Sequence, residues 1–297
     1  MTIAQIYQYE RPDTVDAAVK LLAQAGNGGR VLAGGTDLIG WLNDDLVTVE
    51  LLVDIKGIEA LRTLSLKDNT LFIGAGVTIA EIIKSTMIRK EFPLLYEMAG
   101  MLACTGIRNR ATVVGNISSA VPCCDNGPVL MVYDAMIHVQ GPEGSREIPM
   151  DRWFLGPRKT ALKTGELVTG ITVPRPTEVH AGCFVKQKRY KGEDLAQSSV
   201  AILALAGHQY RVSFGSVAPT PVRAPNIEAL MAGKAVTDQL IDEASQLIPE
   251  ETSPITDIRA TKEYRAHMLQ VMFKRGFKTV TERLNGNGPD YGVNVIE

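Results

Sequence analysis

Histidine is scarce: His138, His180, His208 and His267 are the only four in 297 residues. None stands beside a nucleophile or a second ligand along the chain. HExxH and GxSxG are both missing, which removes zinc-peptidase and α/β-hydrolase chemistry. Cysteine is equally sparse. Cys104, Cys123, Cys124 and Cys183 show no zinc-ribbon, thioredoxin-type or iron–sulfur spacing. Adjacent Cys123 and Cys124 cannot close an unstrained disulfide, so all four read as reduced thiols and no metal is assigned to the chain. GxGxxG and the P-loop are absent, so neither a Rossmann nor a Walker nucleotide site is available. No run approaches the ~18 uninterrupted apolar residues of a membrane span. The opening Met1-Thr2-Ile3-Ala4-Gln5-Ile6-Tyr7 lacks a basic start, an apolar run and a cleavage site, so no signal peptide is read and the expected location is cytoplasmic. Net charge is −2, without the basic excess of a nucleic-acid binder. The local run of Lys186, Lys188, Arg189 and Lys191 reads as a solvated strand or loop. Carboxylate pairs such as Asp44-Asp45 and Glu250-Glu251 read as solvated surface.

What is present is an ordinary globular composition, with enough length for a buried core. Residues 1–56 alternate strand and helix signals. Val15, Ala18, Val19 and Leu22 have helical spacing, Asp13 or Thr14 can cap the start, and Gly26 can end the helix. Val31-Leu32-Ala33 and Leu51-Leu52-Val53-Asp54-Ile55 read as strands of a small β-α-β unit, with a glycine turn after its inner strand. Residues 57–176 are mixed. Lys67-Asp68-Asn69 is a hairpin turn, and Thr78 with Glu81 has capping-box spacing before Ile79, Ile82 and Ile83. Residues 92–99 read as a helix. Strands are expected over 134–140, closed by Gly141-Pro142-Glu143-Gly144, and over 168–173. Pro174-Arg175-Pro176 marks a boundary. Residues 177–285 then carry three strands (183–186, 200–205, 210–217) followed by helices, a small α+β domain. The tail, 286–297, reads as loose.

Two segments are rich in donors and poor in acid–base groups. Ala33-Gly34-Gly35-Thr36-Asp37-Leu38 places two glycines after a buried strand, where the backbone can meet a ligand with no β-carbon between. Successive amides in such a turn form a concave donor site suited to a diphosphate. Asp37 would repel a phosphate, and fits better if it accepts the loop amides and holds the turn. The second segment runs from Ile107 through Ala111-Thr112-Val113-Val114-Gly115-Asn116-Ile117-Ser118-Ser119. Thr112, Asn116, Ser118 and Ser119 can donate to phosphate oxygens or to a polar ring edge, and the carboxylate of Asp125 suits a ribose diol. Donor loops without an acid–base constellation suit a protein whose cofactor does the chemistry.

These loops resemble those of the FAD-binding medium subunit of molybdenum hydroxylases, the family of xanthine dehydrogenase and aerobic carbon monoxide dehydrogenase flavoproteins. Arg30-Val31-Leu32-Ala33-Gly34-Gly35-Thr36-Asp37-Leu38 is similar to its first flavin loop, residues 107–117 to its second, and Pro122-Cys123-Cys124-Asp125 to the proline and aspartate that follow. The likeness continues through Asp194-Leu195-Ala196, Gly215-Ser216-Val217-Ala218-Pro219-Thr220-Pro221-Val222-Arg223, Asp257-Ile258-Arg259-Ala260 and Glu263-Tyr264-Arg265, nearly the whole chain. It implies an α+β fold: a PCMH-type FAD-binding domain of two subdomains, then a C-terminal domain of a three-stranded sheet plus helices. By resemblance, residues 32–38 hold the diphosphate, with Arg30 and Val31 leading into them. Thr112, Gly115, Asn116, Ser118 and Ser119 serve the phosphates and the ribityl or adenosine side, and Asp125 anchors a sugar hydroxyl. Leu102 and Ala103 line the cofactor, Val168 packs on the flavin ring, and Lys186 lies near the isoalloxazine edge, where a cation favours the anionic reduced flavin. Molybdopterin is then expected on a large partner subunit and two [2Fe–2S] clusters on a small one, with electrons leaving the FAD for NAD or another acceptor. The chain departs from the family at Val114, where a glycine is usual, and at Cys123 and Cys124, where small or hydroxyl residues are. It also lacks the cysteine-rich insertion of 4-hydroxybenzoyl-CoA reductase-type flavin subunits. A rival reading is a stand-alone flavin oxidoreductase of the UDP-N-acetylmuramate dehydrogenase type, which would need a proton donor over the flavin. The loop assignment predicts that Gly35→Val abolishes FAD retention. Full flavin occupancy in that variant would sink the assignment.

Overall fold

The computed structural model describes residues 5–190, 192–293, 295 and 296. Residues 1–4 of the opening stretch and Lys191 of the basic run lie outside the described residues. The first unit contains strand β1 (Gln8–Glu10), helix α1 (Val15–Ala25), β2 (Gly29–Leu32), α2 (Leu38–Asn43) and β3 (Leu51–Asp54). Thr14 caps α1, its hydroxyl oxygen accepting the Ala17 N–H at 3.2 Å. Ala18, Val19 and Leu22 are the buried stripe of α1. The strands are parallel in the order β1-β3-β2. The central strand is therefore β3, buried at every position, while β2, expected as the inner strand, lies at an edge. Strand β1 went unread because all three of its residues are exposed, leaving no alternation to detect.

The second unit begins with β4 (Leu64–Lys67) and β5 (Thr70–Gly74). Asp68 and Asn69 between them both take positive φ, +48° and +59°, the turn geometry that matches a twisted hairpin. Helices α3 (Ile79–Lys84), α4 (Thr86–Glu91), α5 (Pro93–Met101), α6 (Thr105–Arg108), α7 (Val113–Ser119) and α8 (Asn126–Val132) follow. The Thr78–Glu81 capping box is present. Strands β6 (Met136–Gly141), β7 (Gly144–Pro149), β8 (Phe154–Gly156), β9 (Lys159–Thr160) and β10 (Leu167–Pro174) complete the unit. Its main sheet is antiparallel in the order β4-β5-β10-β6-β7.

The third unit has strands β11 (Ala181–Gln187), β12 (Ser198–Leu205), β13 (Gln209–Gly215) and the two-residue β14 (Val222–Arg223), then α9 (Pro225–Met231), α10 (Asp238–Gln246), α11 (Ile248–Glu251) and α12 (Lys262–Leu284). The sheet is antiparallel, β11-β12-β13-β14, so a short fourth strand joins the three expected. Residues alternate between two cores, as the two-residue period of a strand demands. Cys183, Val185, Val200 and Ile202 pack with Phe273 and Phe277 of α12. Phe184, Ala201 and Leu203 face the core of the second unit. Burial on both faces explains why these strands read as continuous apolar runs.

The tail departs from expectation. Arg283 Nε donates to the Pro289 carbonyl at 3.0 Å, Gly292 N–H donates to Glu97 Oε1 at 3.2 Å, and the Gly182 N–H donates to the Tyr291 hydroxyl at 3.0 Å. Glycine and proline there shape turns that return to a buried anchor; their abundance alone had suggested looseness. Among the described residues, no helix is long and apolar enough to cross a membrane.

Candidate functional site

A cavity of about 760 Å³ runs between the turn after β2 and the segment from α5 to α8. Residues 162–168 close one side, and Lys186 with residues 193–195 come from the third unit. The volume is that of a site for a large organic ligand.

The turn after β2 is shaped by its neighbour. A β-carbon on Gly34 would collide with the Arg110 carbonyl oxygen and lie 2.7 Å from the carbonyl carbon. Glycine is required here because the backbone of the second loop presses on the first. Gly35 has φ of +74°, and a β-carbon would meet Leu32 Cδ1 at 3.0 Å. A β-branched side chain at that φ is strained before any ligand is considered. The N–H groups of Gly34, Gly35, Thr36 and Asp37 find no acceptor among the described residues. Four adjacent unpaired amides beside a cavity form a donor cradle for an oxyanion.

Asp37 does not accept these amides. Its Oδ2 takes the hydroxyl hydrogen of Ser119 at 2.5 Å, a charge-assisted bond between the two loops. The expectation that Asp37 braces its own turn gives way to one in which it braces the turn against α7. Ser119 has one hydroxyl hydrogen, so donation to Asp37 leaves none for a ligand.

The second loop is equally fixed. Thr112 Oγ1 accepts the Gly115 N–H at 2.9 Å, and a β-carbon on Gly115 would lie 2.8 Å from that oxygen. Ala111 O accepts the Ile79 N–H at 2.9 Å. Asn116 Oδ1 receives Asn126 Nδ2 at 2.7 Å, Asn126 N at 3.3 Å and Cys124 Sγ at 3.1 Å. That orientation leaves Asn116 Nδ2 as the group free to donate. Val114 is buried within the first turn of α7 and still lines the cavity.

At the third-unit side, Lys186 Nζ lies 2.6 Å from Asp125 Oδ2, with both side chains almost wholly buried. Burial pushes the Asp125 carboxyl above its ordinary range; the neighbouring ammonium opposes the shift without cancelling it. Asp125 Oδ1 is buried with no partner. A buried carboxylate oxygen left unpaired is costly and awaits a donor. Sequence reasoning gave Asp125 and Lys186 separate tasks; they form one pair, and the lysine charge is locally compensated. Burial, reinforced by the Asp125 charge, lifts the Cys123 thiol to about 11. Burial also holds the Cys124 thiol far above its usual range.

Of the residues assigned to the cofactor from sequence, Leu32 alone stands off the cavity, packing behind Gly35. Arg30, Val31, Ala33, Gly34, Gly35, Thr36, Asp37, Leu38, Leu102, Ala103, Thr112, Gly115, Asn116, Ser118, Ser119, Asp125, Val168 and Lys186 all line it. The Arg30 guanidinium turns back to donate to the Asn27 and Gly29 carbonyls at 2.7 and 2.8 Å. Val168 belongs with residues 162–167, where Thr164 Oγ1 donates to Asn27 Oδ1 at 2.9 Å. Asn27, Trp41 and residues 162–166 line the cavity and were missed. Gly165, with φ of +82° just before β10, was the one signal in that stretch. Among the described residues no group of His, Cys, Asp or Glu converges as a metal site.

Residues 5–176 match a family model described as the FAD binding domain in molybdopterin dehydrogenase, and residues 183–280 one described as the CO dehydrogenase flavoprotein C-terminal domain. The carbon monoxide dehydrogenase medium chain of Afipia carboxidovorans is 30% identical over 280 residues, 93% of this chain and 97% of that one. The putative xanthine dehydrogenase FAD-binding subunit of Escherichia coli K12 is 28% identical over 277 residues, 90% of this chain and 93% of that one. The structure of reconstituted CO dehydrogenase from Oligotropha carboxidovorans superimposes with a TM-score of 0.91 at 30% identity, covering 95% of this chain and 100% of that chain.

Two outcomes follow from the geometry. Gly34→Ala should destabilise the fold by about 1–3 kcal/mol through the forced displacement of the Arg110 backbone. Gly40→Ala, on α2 with nothing within 4 Å of its β-carbon, should stabilise by about 0.5–1 kcal/mol. Denaturant titration of both variants checks the contrast, and equal effects would contradict it. With its thiol at about 11, Cys123 at pH 8 should be thiolate in roughly one part per thousand. Its iodoacetamide labelling, read by peptide mapping, should rise about tenfold per pH unit up to that value. Rapid, pH-independent labelling at pH 8 would contradict the burial argument.

Proposed function

The chain belongs to the family of FAD-binding medium subunits of molybdenum hydroxylases, and from that premise we propose that it holds one FAD in this cavity and relays electrons within a multi-subunit dehydrogenase. The observation that carries the reading is the row of four unpaired amides from Gly34 to Asp37 beside a cavity of cofactor size. When bound, FAD can take up electrons singly and give them up in pairs, which suits a relay between one-electron clusters and a two-electron acceptor.

The chain's own residues then bind and orient. The amides of residues 34–37 hold the diphosphate, with Thr112, Ser118 and the Nδ2 group of Asn116 as further donors. Ser119 contributes indirectly, by locking Asp37. Asp125 Oδ1 accepts a hydrogen bond from a hydroxyl or ring N–H of the cofactor, which relieves its unpaired state. Lys186 pairs with that carboxyl group and sets a cation close to the ring system. Leu102, Ala103, Val114 and Val168 supply apolar walls that exclude water. The molybdopterin centre sits on a large partner subunit and two [2Fe–2S] clusters on a small one, in the cytoplasm, with NAD among the candidate acceptors.

A stand-alone flavin oxidoreductase would need an acid poised to deliver a proton over the flavin. The carboxylates around the cavity are largely committed. Asp37 is held by Ser119, Asp125 by Lys186, Glu166 by Arg146 and Asp194 by Arg259. The relatives do not favour that reading either.

Co-purification from the native host, with cofactor and metal analysis, tests the proposal. The expected result is one FAD on this chain, with molybdenum, iron and acid-labile sulfide on two partner chains. A lone yellow protein with its own NAD(P)H-dependent activity would contradict the relay role, and a colourless chain that takes up no FAD would contradict the site.

A further inference from the structure

We propose that the C-terminal segment, residues 285–293, is a clasp that sets the position of Lys186 in the cavity through Arg283 and Glu97, two residues that do not line the cavity. The inference rests on the cavity being the FAD site.

Strand β11 is an edge strand, hydrogen-bonded to β12 alone. The groups on its free edge need partners from elsewhere. The Phe184 N–H donates to Glu97 Oε2 on α5 at 2.8 Å. The Gly182 N–H donates to the Tyr291 hydroxyl at 3.0 Å, and the Gly182 carbonyl accepts from Arg283 Nη1 at 2.6 Å. The edge is closed by a helix of the second unit, the end of α12 and the tail together.

Glu97 and Arg283 are both saturated. The Glu97 carboxylate accepts Arg283 Nη2 at 2.8 Å, Arg283 Nη1 at 3.2 Å, the Phe184 N–H, and the Gly292 N–H at 3.2 Å. Arg283 sends its remaining donors to Pro289 O at 3.0 Å and Asp290 O at 3.2 Å. The Tyr291 ring lies 3.9 Å from the Arg283 guanidinium carbon. The side chains of Glu97 and Arg283 are 1% and 4% exposed. A buried ion pair is a poor source of stability, since apolar residues of equal volume do as well. Its directional bonds instead specify where α5, β11 and the tail meet.

That junction is close to the proposed FAD site along both elements. Lys186 lies two residues beyond Phe184 on β11. Met101 lies four residues beyond Glu97, one turn along α5. The two elements converge again where Lys186 Nζ reaches the Met101 carbonyl at 3.5 Å and Asp125 at 2.6 Å. Leu102 and Ala103, which line the cavity, follow immediately. A slip between α5 and β11 would displace the ammonium relative to Asp125, so Glu97, Arg283 and Tyr291 act as positioning residues.

The test is a double-mutant cycle on the flavin midpoint potential in the purified complex, with FAD content and melting temperature read in parallel. Glu97→Gln and the milder Tyr291→Phe should each shift the potential while FAD content stays at the wild-type level. The shift should shrink to a small fraction in a Lys186→Met background, because the clasp acts through that side chain. Shifts of equal size with and without Lys186, or a lowered melting temperature with an unmoved potential, would overturn the clasp and leave a structural anchor only. If Glu97→Gln does not fold, Tyr291→Phe carries the cycle alone. A wild-type chain that takes up no FAD overturns the cavity reading, and the clasp with it.

Discussion

Two backbone loops lean on each other, and the cavity exists because they do. The α-carbon of Gly34 sits so close to the Arg110 carbonyl that no β-carbon fits, and Ser119 ties α7 to Asp37 at 2.5 Å. The contact turns a flexible glycine turn into a rigid one. Four amides are then held open toward the cavity before any ligand arrives. Preorganised donors of this kind spare a ligand the entropy of ordering the loop. The second loop is fixed from its other side by Thr78, Ile79 and Ala111, so the donor cradle is built on the α3 end of the second unit.

Much of this could be read from residue types and spacing. The hairpin at Asp68-Asn69, the Thr78–Glu81 box, the Thr14 cap and the strands flanking Pro174 follow local rules, and local rules are visible in a linear chain. The donor loops were visible for the same reason: consecutive glycines and small hydroxyl residues are unusual in a buried strand–helix junction. What stayed hidden was pairing at a distance. Nothing in the spacing says that Asp37 meets Ser119, that Asp125 meets Lys186, or that Glu97 meets Arg283. Each pair joins elements brought together only by the tertiary fold. Each reassigns a residue that local reasoning had given another task, or none. The tail misled for a related reason, since its glycines and proline describe how it turns and leave open what holds it.

Two of the buried ion pairs differ in kind. Asp125 with Lys186 faces the cavity and keeps one oxygen unsatisfied. Glu97 with Arg283 lies behind it and is saturated. The first pair has the character of a binding element and the second of a frame, joined by two residues of β11 and one turn of α5. The thiols of Cys123 and Cys124, beside the first pair, are held protonated by burial, which makes them poor redox partners despite their position.

A loop pair prebuilt for a diphosphate should select FAD over shorter flavins. Titration of the flavin-free chain with FAD, FMN and riboflavin, followed by flavin fluorescence, tests it most directly. One equivalent of FAD should bind tightly, with FMN and riboflavin weaker by orders of magnitude because they cannot bridge the amides of residues 34–37. Equal affinity for FAD and FMN, or no saturable binding of FAD, would contradict it.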